Sequence, residues 1–152
     1  MEFRQIHDDV QKNNISRQIL EALPDWFGLP ESREEYIADS QNKPFFAAWD
    51  GEKVVGFLYL KETGRDTVEL AVMGVVQSYH RQGIGRQLFE IAKAEAVAQG
   101  YSFMQVKTVE MGRYSQYDET NCFYLSLGFK EFELFPTLWD EWNPCQVYVM
   151  AL

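Results

Sequence analysis

The chain contains few of the residues that cross-link small proteins or hold metal ions. Its 152 residues include two cysteines, Cys122 and Cys145, without a CxxC spacing, and two histidines, His7 and His80, far apart in sequence. No apolar run approaches the roughly 18 residues that a membrane span requires, and no signal-peptide pattern opens the chain. These absences argue against a disulfide scaffold, a metal site or a membrane segment, and they predict reduced cysteines in a cytoplasmic protein.

Basic residues are also scarce, and this limits the partners of the chain. The net charge is −9, with 14 Lys and Arg against 23 Asp and Glu, which argues against a nucleic-acid partner. The one basic section is residues 75–113, with five bases against three acids. A polyanionic ligand needs such a section, and a cationic acceptor would favour the acidic remainder. Chance scatter of surface charge is the alternative explanation.

Length and apolar content predict a single globular domain over residues 1–152. Hydrophobic residues make up 46% of the chain and aromatic residues 15%, which is typical of a chain with a buried core. No internal repeat or linker interrupts the sequence. Apolar runs alternate with amphipathic segments, which indicates an α/β (α+β) fold with one mixed sheet of about six to seven strands and helices on both faces.

Turn and capping residues predict the order of the elements. A first helix begins at Asn13 or Asn14, and a second begins at a capping box formed by Ser32 and Glu35 and ends near Ser40. Two further helices are predicted at residues 84–99 and 119–127, the first followed by Gly100 as a C′ residue. Strands are predicted at residues 2–6, 45–49, 54–60, 68–75, 102–109, 130–135 and 146–151. The long helix between 68–75 and 102–109 predicts that these two strands are parallel.

Residues 68–99 combine a buried strand, a glycine-containing turn and the start of a helix. Gly83 and Gly85 let the backbone turn tightly, and the first N–H groups of a helix have no internal partner. Such a turn is an anion site, most often for phosphate, and Arg81 and Arg86 flank it. An ordinary turn eased by two glycines is the alternative. A dinucleotide fingerprint would need a third glycine where Leu88 stands, and the Gly-Lys-Ser/Thr of a P-loop is absent.

This stretch resembles the acetyl-CoA-binding motif of the GNAT superfamily of N-acetyltransferases, Arg/Gln-x-x-Gly-x-Gly/Ala. Gly83 and Gly85 match the motif, whereas His80 stands at the Arg/Gln position. The resemblance implies that the strand end at Val75 and Val76 binds the cofactor, with the Val75 amide facing the thioester carbonyl. It also implies that backbone amides hold the CoA pyrophosphate, those of Arg81, Gln82, Gly83, Ile84, Gly85 and Arg86.

The segment from Phe123 to Phe129 resembles the second GNAT signature, Phe-Tyr-x-x-x-Gly-Phe. Helical spacing places Tyr124 on the buried face of its helix, where a core tyrosine bonded to a carbonyl is the usual explanation. The resemblance implies instead that the Tyr124 hydroxyl lies near the CoA sulfur and acts as a general acid. The asparagine that many family members carry seven residues earlier is replaced by Tyr117.

Glu69 is a carboxylate within an otherwise apolar strand, which makes it a candidate general base. Alternation places it on one face with Ala71, Met73 and Val75. Its position fourteen residues before Gly83 matches the central-strand glutamate that some GNAT enzymes use as a base. The alternative is a structural glutamate paired with Arg or Lys.

In GNAT proteins the helix–loop–helix that precedes the hairpin forms one wall of the acceptor site. Trp26, Phe27 and Tyr36 are therefore candidate acceptor contacts, although each is also explained by packing. The chain is predicted to transfer acetyl from acetyl-CoA to a primary amine by direct attack, without a metal. The alternatives are a non-catalytic acyl-CoA-binding module and an acetyltransferase of protein N-termini or lysines. Whether the chain forms a homodimer is left open.

Overall fold

Seven strands and four α-helices make up the chain, in a computed structural model that describes all 152 residues. The strands are β1 Glu2–Ile6, β2 Phe45–Asp50, β3 Lys53–Gly64, β4 Thr67–Val75, β5 Phe103–Val109, β6 Lys130–Phe135 and β7 Cys145–Ala151. The helices are α1 Asp9–Glu21, α2 Pro30–Asp39, α3 Ile84–Ala98 and α4 Ser115–Ser126, with a 3₁₀ turn at Gln77–Tyr79. The strand order is β1-β2-β3-β4-β5-β7-β6. Strands β4 and β5 are parallel, so the predicted mixed α+β fold and its parallel pair are confirmed.

The chain divides into two units, Met1–Lys61 with Leu70–Gln99 and Glu62–Glu69 with Gly100–Leu152. In the first unit, the apolar face of α1 packs on the sheet, and Gly74 of β4 permits this close approach. A Cβ at Gly74 would lie 2.9 Å from a methyl carbon of Ile19 and 3.0 Å from one of Leu23. Phe45 and Phe57 stack in the same core at a centroid distance of 5.3 Å. The end of β4 is therefore packed closely against α1 and the residues that follow it.

In the second unit, Asn121 holds α4 in place. Its side-chain amide donates to the carbonyl oxygens of Val109 at 2.8 Å and Tyr117 at 2.7 Å, and its Oδ1 accepts from the Tyr148 hydroxyl at 2.5 Å. Asn121 is completely buried. Its side-chain hydrogen bonds therefore link the helix to β5 and β7, which fixes the position of the helix turn that carries Tyr124.

Three helices begin earlier than the sequence patterns predict. Helix α1 begins at Asp9, and the carboxylate of Asp8, not Asn13 or Asn14, accepts the Gln11 amide at 3.1 Å. Helix α2 begins at Pro30 with no side-chain cap, so the predicted Ser32–Glu35 capping box is wrong. Proline suits a first helical position because it needs no N–H partner there.

Helix α4 begins at Ser115 rather than at residue 119. The prediction missed its first turn because that turn is polar and shows no apolar periodicity. The carboxylate of Asp118 in that turn accepts the Gly112 amide at 2.7 Å. In each helix, the polar first turn lies outside the apolar pattern from which its start was predicted.

Candidate active site

Along β4, burial alternates residue by residue. Val68, Leu70 and Val72 are buried, whereas Glu69 and the odd-numbered residues after it are partly exposed. This confirms that Glu69 lies on the strand face predicted for it. The alternation follows from the pleat, which turns successive side chains to opposite faces of the sheet.

The chain turns sharply after β4, and hydrogen bonds hold the turn on both sides. The Val76 amide donates to the Val55 carbonyl at 2.8 Å, and the Tyr79 amide donates to the Val76 carbonyl at 2.8 Å. The Tyr79 hydroxyl donates to Oδ2 of Asp50 at 2.7 Å. The Val76 amide therefore has a backbone acceptor, and a contact of the Val75 amide with a ligand stays a prediction.

Two left-handed residues then lead into α3. Arg81 has φ +64° and Gly83 has φ +80°, a region that costs a non-glycine residue energy. The helical bonds begin with the Gln87 amide, which donates to the Gly83 carbonyl at 3.1 Å, so the amides of Ile84 and Gly85 precede the helical ladder. Gly85 is thus the second residue of α3, and the turn itself uses Gly83.

This turn fits a bound pyrophosphate. A Cβ placed on Gly83 would meet no atom within 4 Å, so the space beside this backbone is open to a ligand. The positive end of the α3 dipole lies at the same place. Gln82 is exposed, as are the side chains of Arg81 and Arg86 on either side of the glycine. These are the residues that would hold a phosphate anion.

Glu69 forms an ion pair with Lys107. Lys107 Nζ donates to Glu69 Oε1 at 3.0 Å, with the Glu69 side chain 13% exposed. Glu69 is the last β4 residue in the parallel ladder and pairs with Gln105, so Lys107 follows on the same face of β5. The lysine partner that the sequence left as an alternative is therefore present, and it bonds only one of the two carboxylate oxygens.

Tyr124 projects from the buried face of α4. It is 8% exposed, and its ring contacts Phe129 edge-on at a centroid distance of 5.9 Å. Burial, and next the Glu69 carboxylate, raise the pKa of the Tyr124 hydroxyl well above its ordinary value. The hydroxyl forms no hydrogen bond within the chain. Its oxygen is not among the fully buried side-chain atoms that lack a partner. The hydroxyl therefore remains protonated at neutral pH, and its oxygen keeps some exposure.

The three predicted acceptor residues all lie in the first unit. Trp26 and Phe27 are partly buried against its core. Phe27 meets the Tyr36 ring edge-on at 6.0 Å, and the Tyr36 carbonyl accepts the Tyr59 hydroxyl at 2.8 Å. These contacts are packing contacts, and a role in acceptor binding stays a prediction.

Both cysteines are free thiols, Cys122 exposed and Cys145 buried. Burial raises the pKa of the Cys145 thiol to about 11, against a smaller opposing effect of Lys107. Such a thiol is protonated at neutral pH and is a poor nucleophile. No cluster of three or more His, Cys, Asp or Glu side chains could hold a metal ion. None of the helices is long and apolar enough to cross a membrane.

Comparison with known families identifies the relatives of this fold. Residues 41–131 match the Acetyltransferase (GNAT) domain family, which is more than half of the chain. The chain belongs to the GNAT family. This confirms the predicted family, and the description of that family, acetyltransferase, agrees with the predicted enzyme class.

Among GNAT relatives, the uncharacterized N-acetyltransferase YsnE of Bacillus subtilis is 27% identical over 99 residues, covering 65% of this chain and 64% of the relative. A structure assigned to the GNAT family, from Desulfovibrio desulfuricans, superimposes with a TM-score of 0.83 at 17% identity over 99% of this chain and 98% of the other. An aminoglycoside 6′-N-acetyltransferase complexed with coenzyme A gives a TM-score of 0.80 at 19% identity, over 99% and 97% of the two chains. At these identities the structures show a shared GNAT fold.

Three residues of this GNAT chain that were not predicted as site residues bond a predicted site residue or hold the helix that carries one. Lys107 pairs with Glu69, Asn121 holds the helix of Tyr124, and His80 bonds the carbonyl of Val75. Lys107 could have been found by placing β5 in parallel register with β4. The other two leave no periodic signal, because each acts through specific hydrogen bonds.

Proposed function

We propose that the chain transfers the acetyl group of acetyl-CoA to a primary amine by direct attack, with Glu69 as general base and Tyr124 as general acid. Membership of the GNAT family supports acetyl transfer in general, and the coenzyme A in the aminoglycoside 6′-N-acetyltransferase structure supports the donor. The observation that carries the residue assignment is the unbonded hydroxyl of Tyr124.

A buried tyrosine normally bonds its hydroxyl to a neighbouring acceptor. The Tyr124 hydroxyl has no such acceptor in the chain, although its ring is almost wholly buried. It can therefore donate its proton to a ligand atom without breaking a hydrogen bond of the protein. Because burial and Glu69 raise the pKa of Tyr124, the phenol retains its proton at neutral pH and can donate it to a departing thiolate.

Glu69 supplies the complementary group, a carboxylate oxygen that can accept a proton. Lys107 occupies Oε1 and so orients the carboxylate, while Oε2 has no partner in the chain. A primary ammonium has a pKa of about 10, so at neutral pH nearly all of the acceptor must lose a proton before it can attack. Glu69 can take that proton through Oε2, directly or through one water.

The turn at Arg81–Arg86 holds the pyrophosphate in this proposal, through the amides at the start of α3 and the charges of Arg81 and Arg86. Acetyl-CoA supplies an acetyl group activated as a thioester. The new bond joins the amine nitrogen to the acetyl carbon, and the bond to sulfur breaks. The amine nitrogen loses two protons. Glu69 accepts the first and releases it to solvent, and the second, lost as the amide forms, replaces the proton that Tyr124 gives to sulfur. The net products are an amide, a thiol and one released proton.

The acceptor is proposed to be cationic in solution, as a small amine or a peptide amine. The net charge of −9 favours cations, and one structural relative is, by its name, an N-acetyltransferase of aminoglycosides. The exposed carboxylates of Asp25 and Glu35 in the α1–α2 region suit such an acceptor. An acetyltransferase of protein N-termini would use the same chemistry at Glu69 and Tyr124.

The test has two stages. First, thermal shift and calorimetry with CoA, acetyl-CoA and longer acyl-CoAs should show stabilisation by several degrees at saturating acetyl-CoA. Second, a panel of small amines and short peptides should release free thiol from acetyl-CoA. No binding of any acyl-CoA would refute the proposal. Binding without thiol release in any mixture would favour the non-catalytic acyl-CoA-binding module.

A further inference from the structure

His80 lies just after the end of β4 and makes an unusually short contact. Its Nε2 is 2.6 Å from the carbonyl oxygen of Val75. A carbonyl oxygen can only accept, so Nε2 must carry a proton and donate it. The neutral ring is therefore held as the Nε2–H tautomer.

This bond completes the restraint of one peptide group. The carbonyl of Val75 and the amide of Val76 belong to the same planar unit and point in opposite directions. The amide donates to Val55 on β3 at 2.8 Å, and the carbonyl accepts from His80. The last peptide group of β4 is thus fixed on both sides, which determines how the strand ends at Val75.

The same imidazole contacts the loop between α1 and α2. The Trp26 ring meets His80 edge-on, with a centroid distance of 5.6 Å and an interplanar angle of 70°. Trp26 also packs against the core of the first unit. One side chain therefore touches both the strand end assigned to the thioester and the loop assigned to the acceptor.

We infer that His80 is a positioning residue that aligns the strand end at Val75 with the acceptor loop at Trp26. Nε2–H orients the Val75–Val76 peptide group, and the ring supports Trp26. His80 itself touches neither reacting atom. This inference rests on the proposed function, because the roles of Val75 and Trp26 come from it.

Two substitutions separate the two contacts. His80→Phe keeps an aromatic ring beside Trp26 and removes the N–H donor. His80→Gln keeps an N–H donor at the same number of bonds from Cα and removes the ring. For His80→Phe we expect kcat to fall about five- to tenfold, the loss of one hydrogen bond, with the acceptor KM and the acetyl-CoA Kd within about threefold of wild type. For His80→Gln we expect kcat within about threefold of wild type and an acceptor KM raised about three- to tenfold, the value of one edge-on ring contact.

The assay uses acetyl-CoA and the best amine found in the panel, with melting temperatures measured on both variants. Wild-type kcat in His80→Phe would overturn the inference. Equal changes of kcat and KM in the two variants would also overturn it, since a merely structural histidine would show that pattern. Loss of acetyl-CoA binding in His80→Phe would instead assign His80 to the cofactor site.

The hydrogen bond itself can be tested without any activity. The chain has only two histidines, and His7 is exposed, so it serves as an internal control in ¹⁵N-detected NMR of the rings. We expect His80 in the Nε2–H tautomer, with an Nε2 proton that exchanges more slowly than any ring proton of His7. An Nδ1–H tautomer, or exchange as fast as in His7, would overturn the inference even if both substituted chains fail to fold. If the wild type turns over no amine, the proposed function fails, whereas the NMR result still decides the bond.

Discussion

Replacing Tyr124 by Phe tests the proposed mechanism most directly, because the change deletes one atom. The ring stays in contact with Phe129 and Tyr148, and no hydrogen bond is lost because the hydroxyl forms none in the chain. Removing a hydroxyl that bonds nothing in the chain should leave the free energy of unfolding within about 1 kcal/mol of wild type. The melting temperature should therefore change by no more than roughly 2–4 °C for a chain of this size.

Activity, unlike stability, should fall strongly in Tyr124→Phe. Loss of a general acid costs roughly 10²-fold or more in kcat, which is about 2.7 kcal/mol of transition-state stabilisation. Affinity for acetyl-CoA should be unchanged. Because the pKa of Tyr124 is raised by burial and by Glu69, the wild-type enzyme should keep this proton as pH rises to about 10, with no loss of kcat from Tyr124 ionisation below that pH.

Tyr148→Phe is the matched control for stability. Tyr148 is also buried, but its hydroxyl donates to Oδ1 of Asn121. Its removal leaves that oxygen unpaired, and the free energy of unfolding should fall by about 1–3 kcal/mol. The measurements are thermal unfolding and initial rates of thiol release for both variants. Wild-type kcat in Tyr124→Phe would return this residue to the core, and lost acetyl-CoA affinity with intact kcat would make it a binding residue.

Three further predictions use other parts of the chain. Gly83→Val should abolish acetyl-CoA binding, as measured by calorimetry. The control is Gly100→Val, at another left-handed glycine with open space around it, which should lose stability but bind acetyl-CoA normally. Equal affinity in the two variants would contradict the assignment of the turn. Glu69→Gln should lower kcat/KM most near neutral pH, and the difference from wild type should shrink at alkaline pH, where the amine loses its own proton. Parallel pH–rate curves for the two proteins would exclude Glu69 as the base, in favour of Glu110 or Asp118 acting through water. Folding raises the pKa of Cys145 from 9 to about 11, so its contribution to stability is complete below pH 9 and is lost as pH rises to about 11. Urea titrations at pH 8 and 11 should therefore show a smaller loss of unfolding free energy in Cys145→Ala than in wild type. An equal loss in both would contradict this.

Local patterns were enough to predict most of the fold. The β strands were predicted because alternating or continuous apolar runs end at turn residues, as at Asp50-Gly51. The parallel pairing of β4 and β5 followed from the length of α3 alone. The starts of α1, α2 and α4 were misplaced because a polar first turn carries no hydrophobic signal, and the caps that begin these helices act through one hydrogen bond or none.

The sequence by itself determined the family, the glycine turn before α3 and the buried face that carries Tyr124, since each depends on residues within a few positions of one another. Only the tertiary structure decided which groups surround them. The partner of Glu69 is Lys107, 38 residues away, and Asn121 accepts from Tyr148, 27 residues away. The tertiary structure also leaves the Tyr124 hydroxyl without a bond, and the turn after β4 brings His80 onto the Val75 carbonyl. Such contacts depend on strand register and on the path of single turns, where a shift of one residue would exchange the faces of the strand and remove them.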